Sequence, residues 1–180
     1  EFATSVIDGD DYAVTVSAQP AGQMCSVTNA AGTIASAAVT DVSVDCVDLF
    51  AGLFIDDLVV GLDYSCSSGT SSETATDGQF TCPENDDISF WLGSNGLGPI
   101  SVAHSIITPL LLFPDDGLAG INLARLLQSL DSDQLPDNGV ILIDEELVAA
   151  LPANLDFSLQ PDEFEAAVDI TLVSLETAVQ

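Results

Sequence analysis

The sequence predicts a mainly β to α+β fold, with antiparallel sandwich-like strands followed by packed helices, and three observations carry that expectation. Apolar and polar residues alternate in short runs from Phe2 to Phe113, broken by Gly, Pro, Asp and Asn. Four cysteines fall inside this stretch as two local pairs, Cys25 with Cys46 and Cys66 with Cys82. Apolar residues at helical spacing begin only after residue 114.

In chain order, Phe2–Ile7, Tyr12–Ala18, Met24–Thr28 and Val39–Cys46 read as strands of a half-buried antiparallel sheet. Asp8-Gly9-Asp10-Asp11 and Pro20-Ala21-Gly22 read as their turns. From Leu49 a second unit begins, with Phe54–Val60, Leu62–Cys66, Gln79–Cys82, Ile88–Leu92 and Ser101–Ile107 as strands. Gly61, the Ser67–Ser72 run, Asp77-Gly78 and Gly93–Gly98 punctuate them, and Asp77-Gly78 is a hairpin signal. Gly117–Leu130 sets Leu118, Ile121, Leu123, Leu126, Leu127 and Leu130 on one broad stripe, with Asp115-Asp116 favourable at the helix N-terminus. Pro161 opens a second helical pattern in which Phe164, Val168, Leu172, Leu175 and Val179 recur. The expected division is 1–47 as one β unit and 48–180 as an α+β unit, its strands over 49–113 and its helices and loops over 114–180.

Charge narrows the function classes. The chain has 29 carboxylates against one basic residue, Arg125, for a formal charge of -28. Phosphate neutralisation needs Lys and Arg in numbers absent here, so nucleic acid is excluded as a partner, and anionic membrane surfaces are repelled. With 47% hydrophobic residues and mean hydropathy +0.40, the chain is nevertheless expected to fold rather than behave as an acidic tail. A surface charged almost wholly by Asp and Glu suits a salt-rich, marine or halophilic setting. No apolar run approaches the ~20 residues of a membrane-spanning helix, so membrane insertion is not expected. Without a signal peptide the chain reads as a mature protein or a part of a longer one. The cysteines lack C-x-x-C spacing and neighbouring histidines, so they read as the disulfides Cys25–Cys46 and Cys66–Cys82, which places the chain outside the cytoplasm.

Two stretches resemble known families. Tyr12-x-Val14-x-Val16, Gln19-Pro20-x-Gly22-Gln23-x-Cys25-x-Val27, Gly32-Thr33 and Val42-x-Val44-x-Cys46 together resemble the C-terminal half of a repeat common in large modular surface proteins and lipoproteins of Gram-negative bacteria. That resemblance implies a partial immunoglobulin-like sandwich over residues 2–46, with earlier strands before Glu1 and an open sheet edge inviting self-assembly. The segments VVGLDYSC, TATDGQFTC and ISFWLG within 49–145 are similar to non-catalytic regions of bacterial surface lipoproteins, including the part ahead of the catalytic region in mucin-directed metalloproteases.

For chemistry, the strongest candidate is the loop after the first helix. Asp131, Asp133, Asp137 and Asn138 supply closely spaced oxygens suited to calcium, and the loop resembles a segment of the same surface-protein domains. Leu135 and the lack of a Glu at the twelfth position depart from an EF-hand. The other reading is a turn rich in turn formers. The Asp8, Asp10, Asp11 turn and the Asp144-Glu145-Glu146 run are weaker candidates, since acidic runs usually form solvated faces. His104, the only histidine, sits in an apolar stretch beside Ser105, and no G-x-S-x-G elbow exists, so a structural histidine is expected and no enzyme. Trp91 beside Phe90 offers either a sugar-stacking surface or a core side chain, and core is the preferred reading. Arg125 is expected to form a structural ion pair. Together these give a non-enzymatic extracellular structural or adhesive module at the surface of a Gram-negative bacterium, a fibre subunit assembling by strand complementation being one form of it. The alternative is an accessory domain of a secreted enzyme that binds a surface glycan or protein ligand.

Overall fold

A computed structural model describes residues 5–135 and 138–178, which fall into two compact units, Glu1–Leu49 and Phe50–Gln180. The first contains β1 (Asp11–Ala13), β2 (Gln23–Thr28), β3 (Ala31–Thr33) and the start of β4 (Ser43–Phe54), whose last residues belong to the second. β1 pairs antiparallel with β3. β2 pairs antiparallel with β4 from Gln23 opposite Asp48 to Thr28 opposite Ser43, so Cys25 and Cys46 face each other and are bonded.

Within residues 5–49 the only buried residue is Cys25, so hydrogen bonds rather than a core hold this unit. The Asp8 carboxylate accepts from the Ser36 backbone N–H and from Ser36 Oγ, and Thr33 Oγ1 donates to Asp11 at 2.6 Å. Gln19 closes the outer edge of β2: its Oε1 accepts from Cys25 N at 2.6 Å and its Nε2 donates to Cys25 O at 3.0 Å. The expected strand Tyr12–Ala18 stops at Ala13, because its partner turns away at Asn29, whose φ is 53°, after Val14 N–H donates to Ala30 O. Ser5–Ile7 form no strand, and Phe2 lies outside the described residues.

The second unit adds β5 (Leu58–Val60), β6 (Asp63–Cys66), β7 (Ser71–Glu73), β8 (Gln79–Pro83), β9 (Asp87–Leu92), β10 (Asn95–Ser101) and β11 (Ile106–Ile107). Then follow α1 (Pro109–Leu112), α2 (Gly117–Ser129), β12 (Val140–Leu142), α3 (Glu145–Ala150), α4 (Pro161–Val168) and α5 (Leu175–Ala178). The fold is thus mainly β with short helices, as expected. A sheet in the order β10-β9-β6-β7 is antiparallel throughout. The end of β4 pairs with β8 and, in parallel, with β11, while β12 pairs in parallel with β5.

Period-two alternation buries Tyr64, Cys66, Phe80, Cys82, Ile88, Phe90, Leu92 and Leu97. Phe54 and Phe80 meet the Phe90 ring edge-on at 4.7 Å and 5.7 Å between centroids, and a Cβ on Gly52 would collide with Phe80. Cys66–Cys82 is bonded inside this core. Asp116 caps α2 by accepting from Leu118 N and Ala119 N, and the helix lays Leu123, Leu126 and Leu127 into the core.

Several expected boundaries move. Phe54–Val60 is a hairpin rather than one strand, turned at Asp57 with φ 68°. Gly93-Ser94 alone makes the turn before β10, because buried Asn95 is fully bonded within the fold: Nδ2 donates to Leu92 O and Pro152 O, and Oδ1 accepts from Leu155 N. Ser101–Ile107 breaks into a turn at Val102–His104. The helix from Pro161 ends at Val168, where Asp169 is left-handed at φ 58°, so Leu172 is buried from a non-helical segment and Val179 lies outside the described residues.

Candidate binding face on the second unit

Of the four oxygen donors expected to hold calcium, the three that are described accept local hydrogen bonds. Asp131 is buried and its Oδ1 accepts from Leu142 N at 3.0 Å, joining the loop to β12. Asp133 accepts from Leu135 N at 2.8 Å and from Asn138 Nδ2 at 2.9 Å, and Asn138 Oδ1 accepts from Val140 N at 2.8 Å. Asp137 lies outside the described residues. Among the described residues no group of three or more His, Cys, Asp or Glu side chains gathers in a metal-holding cluster.

The other acidic runs also have local roles. Asp144 caps α3 by accepting from Glu146 N and Leu147 N, and Glu145 and Glu146 occupy the first turn, where the helix dipole favours negative charge. His104 departs from the expected structural histidine in an apolar strand: it is exposed in the turn that interrupts Ser101–Ile107. Arg125 does form the expected ion pair, 2.8 Å from Glu165, and is itself buried. Its Nε also donates to Val173 O at 2.8 Å, and its Nη1 to Pro161 O at 3.4 Å.

Trp91 is the main correction at the residue level. Ile88, Phe90 and Leu92 are fully buried, whereas Trp91 is 38% exposed on the opposite face of β9. The signal was present in the sequence, because Asp87, Ser89 and Trp91 alternate with Ile88, Phe90 and Leu92, which puts the indole on the polar side. Strand register then builds a face around it. Glu73, Asp63, Trp91 and Gly96 form one row across β7, β6, β9 and β10, and Ser71, Ser65 and Ser89 form the next.

The indole is fixed from both ends. Nε1 donates to Ser65 Oγ at 2.9 Å, and Cζ3, Cη2 and Cε3 lie 3.0, 3.3 and 3.5 Å from the point where a Cβ would sit on Gly96. The ring therefore spans from β6 to β10 over a residue that must be small. Asp63, Ser65, Ser71, Ser72, Glu73 and Trp91 line an open groove of about 830 Å³ on this face. No protein-family model, curated protein or solved structure matches the chain.

Proposed function

We propose that the chain is a non-enzymatic, extracellular adhesive module of a bacterial surface protein, engaging its ligand through the Trp91 face. The observation that carries this reading is a rigidly held, solvent-facing indole in a groove of hydroxyls and carboxylates, since exposed aromatic and polar side chains on a preformed sheet suit recognition. Two disulfides support folding in a non-reducing compartment, and the surface-protein resemblance of residues 2–46 supports a bacterial cell surface. The same face would serve an accessory domain of a secreted enzyme equally well. Assembly by strand addition at β2 would have to displace Gln19, whose amide already occupies the backbone of Cys25.

The reading is tested by immobilising the chain and measuring retention of cells, mucin and deglycosylated mucin, with Trp91→Ala alongside. Retention on at least one surface, lost in the variant, is expected. Release of sugar or peptide from mucin by the purified chain would make it an enzyme and overturn the reading.

A further inference from the structure

We infer that the Trp91 groove binds an uncharged oligosaccharide, one pyranose stacking on the indole while its hydroxyls bond to Asp63, Glu73 and the neighbouring serines. This rests on the reading of that face as a binding surface and adds the chemical class of the ligand. The indole, pinned by Ser65 and laid across Gly96, lines the groove and stays 38% exposed, and a flat apolar ring of this kind suits the C–H face of a pyranose. Asp63 stands opposite Trp91 on the adjacent strand and Glu73 opposite Asp63 on the next. The row therefore places acceptors at one and two interstrand spacings, roughly 5 and 10 Å, from the stacking platform. Carboxylates accept hydrogen bonds from sugar hydroxyls, and the Ser71 hydroxyl can both accept and donate along the same groove. A few fixed polar groups beside an apolar platform supply orientation and specificity.

Charge selects among glycans. Asp63 and Glu73 line the groove, and the one basic side chain of the protein, Arg125, is buried away from this face in contact with Glu165 and Val173. Sialylated, sulfated or phosphorylated ligands meet only repulsion there. A cationic ligand is served less well, because quaternary ammonium groups are held by enclosures of several aromatic faces, and this groove offers one.

The experiment exploits a feature of composition: Trp91 is the single tryptophan, so emission excited selectively at tryptophan, beyond the absorption of the two tyrosines, reports on this groove. The intact disulfide-bonded chain is titrated with neutral oligosaccharides ending in glucose, galactose, mannose or N-acetylhexosamine, with a sialylated counterpart, and with tetramethylammonium. A saturable emission change with at least one neutral glycan is expected, with the sialylated form weaker by about tenfold or more. Saturation-transfer NMR on the same glycan should lose its signal in Trp91→Ala. Gly96→Val, which crowds the benzo ring, should weaken binding while the circular dichroism and melting temperature stay near those of the parent. No response across the neutral panel, a response to tetramethylammonium alone, or glycan binding undiminished in Trp91→Ala would overturn the inference. Trp91-dependent retention on deglycosylated mucin without any response to sugars would sink the glycan ligand and leave the adhesive reading standing.

Discussion

Asp56, in the turn between β4 and β5, carries a carboxyl whose charged form the fold disfavours. Burial pushes its pKa up to about 7, a hydrogen bond from Gln128 Nε2 at 3.3 Å offsets part of that rise, and the Asp57 carboxylate adds to it. A folded-state pKa above the unfolded value of 3.8 means that the native chain holds this proton more tightly. Its contribution is therefore fully present at low pH and is lost as pH climbs through about 7. Asp56→Asn keeps a partner for Gln128 and removes the charge. Urea unfolding of variant and parent should give nearly equal stability near pH 4 and a gain for the variant of ~1 kcal/mol or more near pH 8. A difference that does not change with pH would refute the assignment. Asp133 tests a neighbouring idea. Because it accepts bonds from Leu135 N and Asn138 Nδ2, Asp133→Ala should cost about 1–2 kcal/mol in sodium chloride alone. Melting in calcium against sodium at matched ionic strength checks it: a calcium-specific rise abolished by the variant would assign an ion to the loop.

At the scale of elements, α2 holds the C-terminal part of the second unit through polar contacts as well as leucines. Arg125 reaches from α2 to Glu165 and Pro161 on α4 and to Val173 beyond it, while Asn122 Nδ2 donates to Phe157 O and Leu159 O at 2.9 and 2.8 Å. Replacing Arg125 by Met removes the donor to Val173 O, a longer contact to Pro161 O, and the counter-ion of the half-exposed Glu165. The expected loss is roughly 3 kcal/mol, and hydrogen exchange should localise it to α4 and the segment around Val173. Uniform loss of protection across the unit would count against a local clamp. The helices with long stripes and acidic starts, α2 and the beginning of α4, were legible in the sequence for the same reasons that they form: capping, dipole and period. β12 and α3 were not. Val140-Ile141-Leu142 is a short apolar run that becomes a strand only because β5 is there to pair with it in parallel, and Asp144-Glu145-Glu146 reads as a solvated run until its capping bonds are seen. The calcium expectation rests on Asp131, Asp133, Asp137 and Asn138, of which the described three accept hydrogen bonds within the loop and from β12, and Trp91 lies on the outer side of β9 because it follows the alternation of Asp87 and Ser89 rather than that of Ile88, Phe90 and Leu92.

The two units differ in what keeps them folded, and that difference makes the two disulfides unequal. In the second unit Cys66 and Cys82 are 4% and 0% exposed, inside a core that includes Phe80 and Phe90. In the first, Cys46 is exposed and Cys25 is the one buried residue among 5–49, with exposed Val44 and Val47 beside the bond. Thiol–disulfide exchange requires an attacking thiolate to reach a sulfur, so a mild reductant without denaturant should open Cys25–Cys46 first. The bonds span 21 and 16 residues, and closing loops of this size restricts the unfolded chain by about 3 kcal/mol each in the chain-entropy model. For a unit whose described residues form no apolar core, that contribution is a large share of the total, since whole domains retain only about 5–15 kcal/mol. Reduction should therefore abolish slow hydrogen exchange in β2 while β6, β9 and α2 stay protected, because the second unit keeps both its disulfide and its buried aromatics. Differential alkylation with mass spectrometry, run beside the exchange measurement, reads both quantities from one sample. Simultaneous loss of both disulfides, or an unchanged β2 once Cys25 and Cys46 are alkylated, would show that burial does not govern the order of opening.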